Sequence, residues 1–170
     1  MSGLTEDEIV KAETLYDFRF PPDLKEFLMF ALPVSSKWIN WRKLGSNDIK
    51  AAFDWVYEGI YFDIENNVFW LEDWGEKPAD LQEAFSIAKQ KIDEAPKLIP
   101  IYSHRYMPTE PNERNNPVFS VYQTDIVYYG NNIWDYFEKE FPHHFQTLSN
   151  KIEKPIKQIK FWSLFAEELI

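Results

Sequence analysis

The sequence predicts an α+β domain, helices flanking a mainly antiparallel sheet, and three observations carry that expectation. Apolar residues recur at helical spacing through the first hundred residues and again toward the C-terminus. Between them, Leu98 to Gly130 is rich in β-branched and aromatic residues. No repeat, low-complexity tract or linker interrupts the 170 residues, a length that fits one domain (1–170) with a core of its own.

The elements follow in order. Thr5 is a good N-cap and Glu8, three residues on, completes a capping box, so a helix opens there with Ile9, Ala12 and Tyr16 on one face. Pro22 and Asp23 start a second helix, "PDLKEFLMF", with Leu24, Phe27 and Leu28 inward. "KWINWRKL" reads as a strand. Asn47 can cap a third helix carrying Ile49, Phe53, Val56, Tyr57 and Ile60 at helical spacing. "NVFWLEDWG" reads as a short strand entering a turn at Gly75. Pro78 begins a fourth helix, Ala79 to Glu94, with Leu81, Phe85, Ala88 and Ile92 on one side.

"LIPIYSHRYM" reads as one strand, and "NPVFSVYQTDIVYYG" as two strands or one bent around Gln123–Asp125. Asn131 or Asn132 caps "IWDYFEKEF", burying Ile133, Phe137 and Phe141. The tail, 150–170, reads as a terminal amphipathic helix with Ile156, Ile159, Trp162 and Leu169 along one stripe. Lys151, Lys154, Lys157 and Lys160 form a loose basic band beside it.

Several function classes fall away on composition. With no cysteine there are no disulfides, thiolate zinc sites or cysteine nucleophiles, which suits a reducing cytoplasm. The start of the chain has neither the basic flank nor the apolar run of a signal peptide, and no segment approaches the roughly 18–20 apolar residues of a membrane span. A cytoplasmic protein is expected. Five glycines, at 3, 45, 59, 75 and 130, leave no phosphate-cradling loop, and no nucleophile elbow occurs, so no cofactor is expected.

Charge is more informative. From Asp54 to Glu83 there are nine acidic residues against one lysine, Lys77, a local charge of −8 in a chain of −10. Such a surface repels a phosphate backbone and steers basic proteins toward itself; its ordinary alternative is a solvated face that aids solubility. Trp55, Tyr57, Tyr61, Trp70 and Trp74 interleave with these acids, and aromatic anchors within a charged rim are what protein interfaces favour. Trp55, Tyr57 and Trp70 are expected in the core. Trp74, in a turn beside Gly75, is the expected exposed anchor, and the partner-binding set is Glu72, Asp73, Trp74, Glu76 and Asp80.

His104 and Arg105, with Tyr122, mark a second candidate, the wall of a small-ligand pocket. On a strand, however, His104 and Arg105 would face opposite sides, and the ordinary reading of His104 is a partly buried histidine bonded to backbone. His143 and His144, adjacent on a helix, diverge by about 100° and cannot chelate one metal as an i, i+4 pair would. Asp125 reads as a turn aspartate, and no carboxylate pair is identifiable from spacing. No catalytic residue and no metal site are assigned.

"LTEDEIVKAETLYDFRFPPDLKEFL" resembles the entry of the SUKH superfamily, the group containing the yeast Smi/Knr-type cell-wall regulator. Thr5, Glu13, Pro22, Asp23, Phe27 and Leu28 occupy its capped helix and its proline-led "LPxDxxxFL"-like element. "LIPIYSHRYM" stands where the family has its "hhPI" strand, "NPVFSVY" matches "xPVhhhx", and "IWDYFEKEF" matches the closing "sFxxFhxxh" helix, so the resemblance spans 4–141. Two departures fall where partner choice resides: "PTEPNERNN" lacks the family's glycine-rich turn, and the helix from Asp48 to Asn66 is longer than usual. The resemblance implies a non-enzymatic binding module. In bacteria that means an immunity protein neutralising a cognate toxin, and the basic toxin domain would meet the acidic face. The alternatives are a small-ligand binder or hydrolase using His104 and Arg105, and a regulatory scaffold.

Overall fold

The computed structural model describes residues 1–142 and 155–167. The capping box forms as expected: Glu8 N–H donates to Thr5 Oγ1 (3.2 Å) and Thr5 N–H to Glu8 Oε2 (2.8 Å), opening α1, Glu6–Tyr16. α2 runs Pro22–Phe30 and buries Leu24, Phe27 and Leu28. α3, Asn47–Glu65, has Ser46 rather than Asn47 at its N-cap position, with no side-chain capping bond. α4, Leu81–Asp93, begins later than Pro78 because the Asp80 carboxylate accepts from Glu83 N–H (2.9 Å) and sets the cap there. α5, Ile133–Glu140, is capped by Asn132, whose Oδ1 takes the N–H groups of Trp134 and Asp135.

The sheet is a four-stranded antiparallel meander in the order β1 (Leu98–Tyr102), β2 (Arg105–Pro108), β3 (Val118–Tyr122), β4 (Asp125–Gly130). "LIPIYSHRYM" is therefore a hairpin, not one strand: Ser103 adopts a left-handed φ of 50° and reverses the chain. The segment around Gln123 resolves into two strands for the same reason, with Gln123 at φ 55°.

Strand alternation sends side chains to two cores. Ile99, Ile101, Met107 and Val118 join a cluster with α1, α2 and α5, whereas Leu98, Tyr106, Phe119, Val121 and Ile126 join one with α3 and α4. α3 serves both, with Ile49 in the first cluster and Val56, Ile60 and Ile64 in the second.

Three expected elements differ. "KWINWRKL" makes only a single bridge to the sheet, Trp38 to Tyr102. Local side-chain bonds win over a ladder there: Asn40 Oδ1 takes Arg42 N–H in an Asx turn. The Arg42 guanidinium is drawn to Glu8 and to the carbonyls of Ser2 and Gly3. "NVFWLEDWG" is an irregular loop with a single 3-10 turn, Glu72–Trp74. Its rings pack on one another instead of pairing backbone, with Trp70 and Trp74 5.1 Å apart and Trp70 Nε1–H donating to Gly75 O.

Among the described residues of the tail, the helix is confined to α6, Trp162–Glu167. Residues 155–160 are held out of a helix partly because Lys157 donates to Glu113, the Arg114 carbonyl and Asn116. Lys151, Lys154, Leu169, His143 and His144 lie outside the described residues. Among the described residues no helix is long and apolar enough to cross a membrane.

Candidate functional site

The acidic segment is built on α3, the loop after it and the start of α4. Of its nine carboxylates, seven are exposed: Glu58, Glu65, Glu72, Asp73, Glu76, Asp80 and Glu83. None of the seven forms an ion pair among the described residues. Lys77, the one base, does not neutralise them, because its ammonium is turned onto the Ile64 carbonyl and Asn67 Oδ1. Asp63 leaves the acidic face altogether. It is buried and accepts from both the N–H (3.0 Å) and the hydroxyl (2.6 Å) of Thr124. Asp80 has a local task as well, capping α4.

Trp74 is not a free anchor. It is half-buried, edge-on to Phe69 and Trp70 and stacked against Phe161 at 6.3 Å, because the aromatic loop folds over α6. Trp70 and Tyr57, expected in the core, are half-buried against the edge of the second cluster, and Trp55 is 39% exposed. The helical wheel explains this. Ile49, Val56, Ile60 and Ile64 point inward, which leaves Ala51, Trp55, Glu58, Phe62 and Glu65 on the outward stripe. Phe62 is 52% exposed and Tyr122, at the end of β3, 54%.

The β3–β4 turn is clamped onto this helix at three positions four residues apart. Trp55 Nε1–H donates to the Val121 carbonyl (2.9 Å), Gly59 admits the Gln123 backbone, and Asp63 holds Thr124. The clamp sets the Tyr122 ring edge-on to Trp55 at 5.8 Å.

His104 lies in the β1–β2 turn, half-buried, with the Tyr122 ring 6.5 Å away and Nδ1 within 3.2 Å of Ser103 Oγ. Burial first, then the Arg105 charge, pushes its pKa below the usual histidine value, which favours the neutral ring. Arg105 is engaged within the chain, its side chain only 11% exposed. Its guanidinium is paired with Glu140 (3.2 Å), donates to Ser120 Oγ (2.9 Å) and stacks 3.8 Å above the Tyr129 ring. The structure thus brings His104 and Tyr122 together and spends Arg105 on tying the sheet to α5.

The cleft lies elsewhere, and nothing in the sequence pointed to it. About 920 Å³ opens between the C-terminal ends of α1 and α4, the first half of α3 and the 109–112 loop. Phe18, Phe53, Val56 and Trp162 supply apolar lining. Lys97 donates to the Tyr16 and Asp17 carbonyls, and Tyr57 OH donates to Asp93 (2.8 Å), so these polar groups are satisfied within the chain. Burial first, then Asp93, raises the Tyr57 pKa, which keeps the phenol protonated. Asp17, Asp54, Glu110 and Lys50 line the cleft without an ion pair among the described residues. No His, Asp and Glu cluster suited to a metal ion occurs among the described residues.

Compared with protein-family models, with curated proteins and with solved structures, the chain finds no match.

Proposed function

We propose that this chain is a SUKH-like protein-recognition domain that acts without making or breaking bonds, as an immunity protein whose acidic side masks a basic surface of a toxin domain in the cytoplasm. The observation that carries the reading is the set of seven exposed carboxylates without ion pairs among the described residues, while Lys77, the only lysine in the segment, is turned onto the Ile64 carbonyl and Asn67. A field of that sign speeds encounter with cationic proteins and opposes nucleic acid. The order of motifs from Thr5 to Phe141 supports the SUKH part of the reading. The experiment is binding of the purified chain to the toxic domains of polymorphic toxins encoded beside it; no measurable binding to any of them rejects the reading.

A second reading, a small-ligand binder or hydrolase, gains from the cleft between α1 and α3, whose volume suits a small molecule. His104 and Arg105 do not line that cleft. A metabolite screen read by thermal shift distinguishes it, because a ligand of the cleft raises the melting temperature of wild type and not of a Phe53→Trp variant that fills the space.

A further inference from the structure

We propose that Trp55, Phe62 and Tyr122 form the anchor of a protein-docking surface, and that its occupant is an amphipathic helix of a partner with apolar residues a heptad apart flanked by lysine or arginine. This rests on the protein-recognition reading and goes beyond it by moving the anchor away from Trp74. Trp55 and Phe62 are exposed on one stripe of α3 and Tyr122, at the end of β3, lies against Trp55; exposed large aromatics of this kind are what an interface core requires, and Trp and Tyr lead the residues that dominate binding energy.

The surface is also preorganised. The Trp55 ring is held by its bond to the Val121 carbonyl and by the edge of Tyr122, so little freedom remains to be lost on docking. Gly59 and Asp63 fix the turn that directly follows Tyr122.

Spacing and charge select the occupant. Trp55 and Phe62 are seven residues apart on α3, as are Glu58 and Glu65 on the same stripe, so each pair is separated by about 10 Å along the axis. A partner helix repeats its face every seven residues at that distance. A strand repeats its face every ~6.7 Å and falls out of step. Neither glutamate has an ion-pair partner among the described residues, so each offers its charge to a cation lying beside the apolar row. An arginine there can also stack on Trp55 or Tyr122.

The probe is a displayed library of peptides randomised on one face of a fixed helical scaffold, selected on the full chain. Enriched members are then measured against wild type, Phe62→Ser, the double variant Glu58→Gln/Glu65→Gln, and the triple variant Glu72→Gln/Asp73→Asn/Glu76→Gln. Phe62 and both glutamates are exposed, so these variants keep the fold, which circular dichroism checks. The expected result is enrichment of heptad-spaced apolar residues with Lys or Arg, binding at least tenfold weaker in Phe62→Ser and in the double variant, and less than threefold change in the triple variant.

Helices that bind all variants alike, neutral or acidic selected faces, or no enrichment overturn the proposal. Loss confined to the triple variant also overturns it, while leaving the broader protein-recognition reading in place. Sedimentation of the chain alone tests the other occupant: a dimer dissolved by Phe62→Ser assigns the surface to a second copy and overturns the proposal.

Discussion

Replacing Gly59 with alanine should destabilise the protein, although it sits in the interior of a helix where alanine is ordinarily the better residue. In an open helix the exchange gains about 0.8–1.0 kcal/mol. Here a Cβ would lie 2.8 Å from Gln123 Cα and 3.1 Å from Gln123 N, and backbone cannot rotate aside as a side chain can. Overpacking of this kind costs roughly 1–3 kcal/mol.

Relief requires the β3–β4 turn to lift, which stretches the Trp55–Val121 bond and the two bonds from Thr124 to Asp63. Each of these contributes on the order of 1 kcal/mol. The net expectation is a loss of about 1–3 kcal/mol. Urea unfolding measures it, with Ala51→Gly, exposed on the same helix, as the internal scale: that variant should lose about 1 kcal/mol. Faster amide exchange at Thr124 should accompany the loss in Gly59→Ala. A Gly59→Ala protein more stable than wild type, with Thr124 exchange unchanged, refutes the clamp.

Arg105→Ala should cost about 3 kcal/mol in urea unfolding, because Glu140 is left partly buried without its partner. It should leave partner affinity within twofold, since this side chain is only 11% exposed and serves the sheet–α5 contact. Glu8, hydrogen-bonded to the Arg42 guanidinium and to Thr5, has its pKa lowered from 4.5 to about 2. A depressed carboxylate contributes stability that is present above pH 4.5 and is lost as pH falls toward 2. Glu8→Gln should therefore show a shallower fall of melting temperature between those limits than wild type, and equal slopes would contradict the assignment.

What could be read from the sequence was the chemistry that acts locally. The Thr5–Glu8 box, the Asn132 cap and the inward faces of α1 and α2 depend on neighbours within one or two turns, and they form as expected. The segments at 37–44 and 67–75 misled because β-branched and aromatic residues suggest strands, yet Arg42 and Asn40 in one and ring-on-ring packing in the other decide the backbone.

Trp55 could have been placed outward from the α3 wheel; the usual burial of tryptophan argued the other way. Trp74 failed as a free anchor because its covering residue, Phe161, lies far along the chain. The cleft was invisible for the same reason, since Lys97 reaches carbonyls 80 and 81 residues away.

The affinity of the purified chain for a toxin domain encoded next to it, measured by titration calorimetry at low and physiological salt, tests the proposed recognition role most directly. A recognition domain of this kind should bind tightly, more weakly as salt rises, and at least tenfold more weakly when Glu58, Glu65, Glu72, Asp73 and Glu76 are neutralised together. Affinity indifferent to salt and to that substitution, or turnover of a small molecule without any protein partner, would contradict it.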